Sequence, residues 1–497
     1  MNEELNRALE QISDDHIYEA ACHRRSRRAW WIGSIAAALA VIICWCAIWS
    51  QLGGTVRPVI MGTEPVDISN AGRPQSPSTL QLTNLVAAPE YPLMLTCPVY
   101  EDYDNYNEYD KAYSNWRSNQ VEQYDQPAGY ADSLADFWAK SIPEFLSGEG
   151  NRAYSPVNVY LALAMLAETT GGNSRQEILD LLGADSIDEL RTQASHVWNA
   201  HYSDDGQTTS LLANSLWLDE AYTFNEGTVQ TLADSYYASV FHGDLGADET
   251  NDQLRRWLNA QTGNLLTEQA KNTGLSEDCV FALCSTVYFA ADWESGFAEK
   301  NTAEGLFHCK DHDLTTQFMN KTITFGTYYW GEDFGAVYLS LSSGGMWLIL
   351  PDEGKTVEDV LSSSEYLQLT LSPSDWENKK MIKINLSLPK FDISSQADLI
   401  GGMKDLGLQD VFDYTKSDFT PMTNAYELYV GKIDHAVRVA VDEEGLIAAA
   451  YTVMGICGSS LPQLPEDELD FILDRPFLFV VSSHDNLPLF TGVVAQP

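Results

Sequence analysis

The sequence predicts an α+β domain over residues 126–497, set behind one membrane-spanning helix and a linker. Three observations predict this. From about Ala128 onward, strand-like and helix-like segments mix without strict alternation, the pattern of large, mostly antiparallel sheets with helices beside them. Near the N-terminus an uncharged run, Ala29 to Leu52, follows four arginines. Between the two, residues 50–125 are first rich in Pro, Gly, Ser, Thr and Asn and then acidic and rich in tyrosine.

The 497 residues carry a net charge of −42, which argues against nucleic acid, whose phosphates would repel such a surface. An apolar fraction of 44% is enough for a sizeable core. Eight cysteines in this length do not make a disulfide scaffold. Cys279 and Cys284, on one strand, would lie on opposite faces roughly 17 Å apart, too far to bridge. The sequence contains no CxxC, HExxH, P-loop or GxSxG, and its nine histidines form no ligand spacing, so neither metal nor cofactor is expected.

Residues 1–28 form a short segment assigned to the cytoplasm. The apolar stretch 29–49 is long enough to cross the roughly 30 Å hydrocarbon layer as a helix. Trp30, Trp31, Trp45 and Trp49 sit near its two ends, and the arginines at 24, 25, 27 and 28 place its N-terminus inside and the rest of the chain outside. The stretch reads as an uncleaved signal-anchor. The tract Tyr100–Asp110 repels itself and predicts an extended spacer; the alternative docks its tyrosines on the domain or on a partner.

Within the domain, Ser133–Leu146 has helical spacing. Ser155 is a natural N-cap and Pro156 a natural first helical residue, and that helix stops at Gly171-Gly172. Asn173 or Ser174 then caps a short helix. Ser210–Leu218 reads as a strand, Phe224–Phe241 mostly as helix, Thr250–Thr262 as an amphipathic helix and Val280–Ala290 as a central strand. Further strands are expected at 318–329, 337–341, 346–350, 381–388, 429–441, 477–482 and 489–494.

One stretch stands apart. From Leu446 to Pro465 no residue is charged, and from Gly445 to Leu461 there is no proline. Every backbone N–H there is free to join a ladder. In an extended strand, Leu446, Ala448, Ala450, Thr452, Met454 and Ile456 share one small or apolar face. The stretch is suited to the middle of a sheet, or to an ordinary buried strand or helix followed by a loop.

Several blocks resemble the serpin family in order and spacing: Asn151…Ser155-Pro156…Gly171-Gly172-Asn173-Ser174; Ala213-Asn214-Ser215-Leu216-Trp217; Tyr288-Phe289-Ala290-Ala291-Asp292-Trp293; Leu388-Pro389-Lys390-Phe391; His435; Glu443-Glu444-Gly445; Arg475-Pro476-Phe477; and Pro488-Leu489-Phe490-Thr491-Gly492. The resemblance implies three β-sheets surrounded by helices, with an exposed reactive-centre loop. It implies a suicide-substrate inhibitor of extracellular serine proteases and not an enzyme. The protease forms an acyl-enzyme with the loop, and the cut loop inserts as a new strand of the main sheet. The protease is then distorted, so deacylation loses its positioned base and oxyanion donors.

The resemblance also implies site residues. The hinge is Glu443, Glu444, Gly445, Leu446, Ala448, Ala449 and Ala450. Leu446 departs from the usual Thr or Ser at the first inserting position, and its bulk would slow insertion. Counting from Gly445 puts the scissile bond at Ser459–Ser460, with Cys457, Leu461 and Met454 as alternatives. Small residues there suit an elastase-like or subtilisin-like protease, and the absence of Lys and Arg disfavours a trypsin-like one. Glu443 and Lys390 match a pair holding the top of the main sheet near Trp293 and Thr302. Ser155 and His435 match a cluster under its centre, in which Asn158 and Ser285 have exchanged amide and hydroxyl. The expected molecule is a monomer, anchored through residues 29–49 and facing outward from a bacterial-type cell. The alternatives are a non-inhibitory serpin serving as a binding or scaffold module, and a Cys/His hydrolase using Cys457.

Overall fold

Ser155 does what its type predicts. Its hydroxyl accepts from the Asn158 N–H, and Pro156 opens a helix, Pro156–Thr169, that is buried along nearly its whole length. This helix is the axle of the domain. The computed structural model describes residues 82, 84–89, 91, 92, 94–206, 208–446 and 465–497, all within the second of two compact units, residues 67–497. The expected membrane helix at 29–49 therefore lies outside the described residues, as do Ala448, Ala449, Ala450, Ser459 and Ser460. Among the described residues no helix is long and apolar enough to cross a membrane.

The strands are β1 (Leu85–Ala87), β2 (Arg152–Tyr154), β3 (Ser203–Asp204), β4 (Thr208–Asp219), β5 (Ala238–Gly243), β6 (Phe281–Asp292), β7 (Ala303–His308), β8 (Asp313–Trp330), β9 (Phe334–Ser340), β10 (Gly345–Pro351), β11 (Lys379–Pro389), β12 (Phe391–Asp398), β13 (Asp434–Val441), β14 (Gly445–Leu446), β15 (Glu468–Ile472), β16 (Phe477–Ser482) and β17 (Pro488–Val494). The main helices are α1 (Tyr106–Tyr124), α2 (Leu134–Leu146), α3 (Pro156–Thr169), α4 (Gly172–Leu182), α5 (Ile187–His201), α6 (Glu226–Ser235) and α7 (Asp248–Gln261).

Two sheets result. The first runs β1-β5-β4-β6-β14-β13-β12, with β3 on β4. The second runs β15-β11-β8-β9-β10-β16-β17-β2, with β7 on β8. Among the described strands, only β4 with β5 and β11 with β15 pair in parallel. Three sheets were expected. Two of them are one here because β8, 18 residues long, carries β7 and β11 along most of its length and β9 at its end, so the ladder never breaks.

Three further expectations need correction. The segment 224–241 is helical only over Glu226–Ser235; Tyr237 turns the chain with φ 52°, and Ala238–Gly243 becomes β5 beside β4. The run Ala238-Ser-Val-Phe is apolar enough for a buried strand, and the parallel neighbour decides the matter. The cap of α4 is Gly171, not Asn173 or Ser174. Gly171 sits against Asp418, where an added Cβ would lie 2.7 Å from a carboxylate oxygen.

The third concerns the spacer. Residues 85–87 form an edge strand on β5, and residues 106–124 form a helix capped by the Asn105 side chain. Rings from Tyr109, Tyr113 and Trp116 pack in sequence along one face of α1, tilted against each other at 5.8 and 5.2 Å between centroids. The acids alone would favour an extended chain. The tyrosines, spaced three to four apart, give the helix an aromatic stripe to dock, while the acids stay in water.

Candidate functional site

The site is the end of β6, the end of β13 and the turn that joins β13 to β14. Asp442 organises the turn: its carboxylate accepts from the N–H of Glu444 and of Gly445, and its own N–H donates to the Gly445 carbonyl. The chain then enters the first sheet. Gly445 pairs with Asp292 and Leu446 with Ala291 on β6, while Leu446 pairs with Val441 on β13. β14 is thus a two-residue wedge between β6 and β13, which share no pairing of their own among the described residues.

Gly445 is needed here for space. A Cβ would lie 2.5 Å from the Ala291 carbonyl oxygen and 2.8 Å from the Asp292 Cα, both backbone atoms that cannot step aside. Leu446, only 2% exposed, belongs to the hydrophobic core, so its bulk already has a seat.

The wedge is pinned from both flanks. Backbone N–H groups of Trp293 and Phe297 donate to the carbonyls of Glu444 and Glu443, each at 3.0 Å. The Trp293 indole N–H donates to the Asp442 carbonyl at 2.9 Å. The Glu443 carboxylate takes Lys390 Nζ at 2.6 Å and the Thr302 hydroxyl at 2.7 Å. Burial works against its charge, but the Lys390 and Thr302 bonds outweigh it and hold its pKa below the usual value. Asp292 goes the other way. Half-buried, and facing Glu444 and Asp442, its carboxyl is pushed up to about 6.

A second cluster lies beneath the middle of the sheet. The Ser155 hydroxyl donates to the Leu489 carbonyl at 2.7 Å, tying α3 to β17. The Ser155 N–H donates to His435 Nε2 at 3.1 Å, so the imidazole is neutral at that nitrogen. Burial lowers the His435 pKa to about 4, and the Tyr154 ring meets its edge at 5.4 Å. Asn158 Nδ2 donates to the Ser285 hydroxyl at 3.1 Å. His435 is on β13 and Ser285 on β6, so α3 reaches the two strands on either side of β14.

The structure therefore brings Trp293, Thr302, Lys390, Glu443, Glu444, Gly445 and Leu446 into one group, and Ser155, Asn158, Ser285 and His435 into another. Sequence reading missed Asp442, Asp292 and Tyr154. Asp442, two residues before Glu444, carried a usable signal, because Asp in that position commonly makes a side-chain turn. No group of His, Cys, Asp and Glu among the described residues could hold a metal.

The family description "Serpin (serine protease inhibitor)" matches residues 134–497. The chain is 28% identical to Serpin-ZX of Arabidopsis thaliana over 72% of its length and 95% of that protein, and 28% identical to the leukocyte elastase inhibitor of Equus caballus over 70% and 93%. Its fold resembles the thermophilic serpin tengpin in the native state, with TM-score 0.66 and 23% identity over 75% of this chain and 95% of that one. It also resembles the native stressed form of Arabidopsis AtSerpin1, with TM-score 0.62 and 25% identity over 75% and 100%. The chain belongs to the serpin family.

Proposed function

We propose that the chain is a suicide-substrate inhibitor of extracellular serine proteases. The protease nucleophile attacks the loop carbonyl of Ser459, the bond to the Ser460 nitrogen breaks, and that nitrogen leaves as an amine. The acylated loop then inserts between β6 and β13. The observation that carries this reading is β14: Gly445 and Leu446 already lie in register on β6, and Leu446 on β13 as well. Each further residue of an inserting strand gains ladder bonds on two sides, each a modest ~1 kcal/mol, and buries apolar surface. Continuing the β14 register down the sheet sets Thr452 opposite both Ser285 and His435. The second cluster is then the station that the inserting strand meets midway, with hydroxyl and imidazole partners waiting.

Ser459 and Ser460, preceded by Ile456 and Gly458, suit an elastase-like or subtilisin-like protease with a shallow primary pocket. Relatives named leukocyte elastase inhibitor, from horse and human, support that choice. Residues 29–49 anchor the chain in a single pass with its N-terminus in the cytoplasm, and the inhibitor acts as a monomer outside the cell.

The test is denaturing gel electrophoresis of the detergent-purified chain mixed with elastase-, subtilisin-, trypsin- and chymotrypsin-like proteases. A heat- and SDS-stable band at the summed mass supports the reading, and mass spectrometry of the released C-terminal peptide locates the cut among Met454, Cys457, Ser459 and Leu461. If every protease only clips the loop, the chain is a non-inhibitory member of its family and the proposal fails.

A further inference from the structure

Residues 82–130 do more than connect. They begin outside the region matched by the family description and are bonded to the domain along their length. At one end β1 pairs with β5, Leu85 with Phe241 and Ala87 with Val240, and the His242 N–H donates to the Asn84 carbonyl at 3.0 Å. Next to it the Asn84 N–H reaches Gln253 on α7. In the middle the Tyr91 ring packs on Trp198 and Tyr202 at 5.5 and 5.3 Å, and the Cys97 N–H donates to the Asp205 carbonyl at 2.6 Å. Gln120 Nε2 donates to the Asp205 carboxylate at 2.5 Å, in the same β3–β4 turn, and at the far end the Tyr124 ring packs on His484 at 4.4 Å and the Tyr130 hydroxyl donates to Asp485.

The two ends hold different bodies. β5 belongs to the β5-β4-β6 half of the first sheet, on one side of the β14 wedge. His484 and Asp485 form the β16–β17 turn of the second sheet. Seating a full strand between β6 and β13 sets them two strand spacings apart along their length, each spacing about 4.8 Å. The β5-β4-β6 half must then shift against the second sheet. Hydrogen bonds do not survive stretching of that size. The segment pinned to both bodies must give way at one end, or resist.

We propose that residues 82–130 are a brace that resists spreading of the first sheet, so that the loop inserts after protease attack and not spontaneously. This rests on the loop-insertion reading above. Leu85→Pro removes a side chain packed against the core and stiffens β1 opposite Phe241, and Tyr91→Ala empties the central packing site. In the full chain, without protease, each variant is expected to pass from a form cleavable at the loop to a heat-resistant, uncleavable form about fivefold faster than the parent, as for loss of one hydrogen bond or ring contact.

A second construction works in the opposite direction, so that simple misfolding cannot imitate it. Ala87 and Val240 are direct partners in an antiparallel ladder, within disulfide reach. The pair Ala87→Cys with Val240→Cys, oxidised, is expected to convert more slowly than the parent, and a reductant is expected to restore the parent rate. Conversion at parent rate by Leu85→Pro and Tyr91→Ala, or by the oxidised pair, overturns the brace. Because conversion is read without protease, the two readings separate. A chain that traps proteases but converts at one rate in every variant keeps the inhibitor and loses the brace. A chain that traps none but converts faster when loosened keeps the brace and loses the inhibitor.

Discussion

The hinge at 442–446 and the N-terminal brace at 82–130 both restrain the first sheet, but by different means. The hinge is short, and most of its hold is backbone: four carbonyls and three amides of residues 442–445 are bonded, and one carboxylate, Glu443, is clamped by Lys390 and Thr302. The brace is long and held mostly by rings and by single side-chain bonds. A short backbone-held element fails all at once when a single atom is misplaced. A long, ring-held element fails piecemeal. The hinge is thus the trigger and the brace a load shared over many small contacts, and perturbations of the two are expected to differ in size.

The largest effect is expected from Gly445→Val. Its side chain meets the Ala291 carbonyl, so β14 cannot seat. Overpacking against backbone costs about 1–3 kcal/mol, and the share of loops ending in a covalent complex is expected to fall on the order of tenfold or more, read as clipped chain in place of the high-mass band. Next comes acidification acting on the second cluster. His435 is neutral in the fold, with its pKa lowered to about 4 from an ordinary 6.5, so its contribution is complete above pH 6.5 and is lost as pH falls toward 4. That slope is worth on the order of 3 kcal/mol, and His435→Asn is expected to flatten it in melts taken across the same window.

Asp292 carries the opposite sign. Its carboxyl is raised to about 6 by burial and by Glu444 and Asp442, so the folded state prefers it protonated and its contribution worsens as pH rises through 6. Asp292→Asn is expected to raise the melting temperature at pH 7.5 and to leave it unchanged at pH 3.5. Glu443→Ala should be smaller, because Lys390 is 39% exposed and can return to water. About 1 kcal/mol is expected, present above the ordinary pKa near 4.5 and vanishing as pH drops below it, since the folded state holds that carboxyl low. The smallest effect belongs to the brace. Gln120→Ala removes one bond to Asp205 and is expected to cost less than about 1 kcal/mol in denaturant melts. Should Gln120→Ala match Gly445→Val in loss of trapping, the distinction between trigger and shared load collapses.

Much of the domain was legible in the sequence because its signals are local. Ser155-Pro156 writes its own helix start, and strand runs such as 477–482 have few polar residues to mislead. The hinge was legible through Glu443-Glu444-Gly445, and Lys390, Thr302 and Trp293 through the blocks that surround them. The reason for Gly445 was not. The sequence marked it only as part of a hinge, whereas the structure shows close approach to Ala291, a contact between segments about 150 residues apart. The brace was read as a spacer because its acids are conspicuous one residue at a time, while its docking face depends on what Trp198, Tyr202 and His484 offer in return. Asp292 was missed for the same reason: its neighbours Asp442 and Glu444 arrive from another strand.

The last strand of the chain has a consequence for how the protein is made. β17 ends at Val494 and pairs with β2 at Arg152–Tyr154, about 340 residues earlier in the chain. Neither β16 nor β17 is an edge of the second sheet; β17 closes the gap between β16 and β2. A ribosome must therefore make everything from β2 to β17 before this sheet can close, and β2 and β16 wait until then without the strand that joins them. Closure over so long a sequence separation is slow, and the waiting chain is open to chaperones and to aggregation. A chain that stopped before Pro488 would lack a strand from the middle of a sheet, whereas a cut in the finished protein's loop leaves β16 and β17 held on both sides by their neighbours.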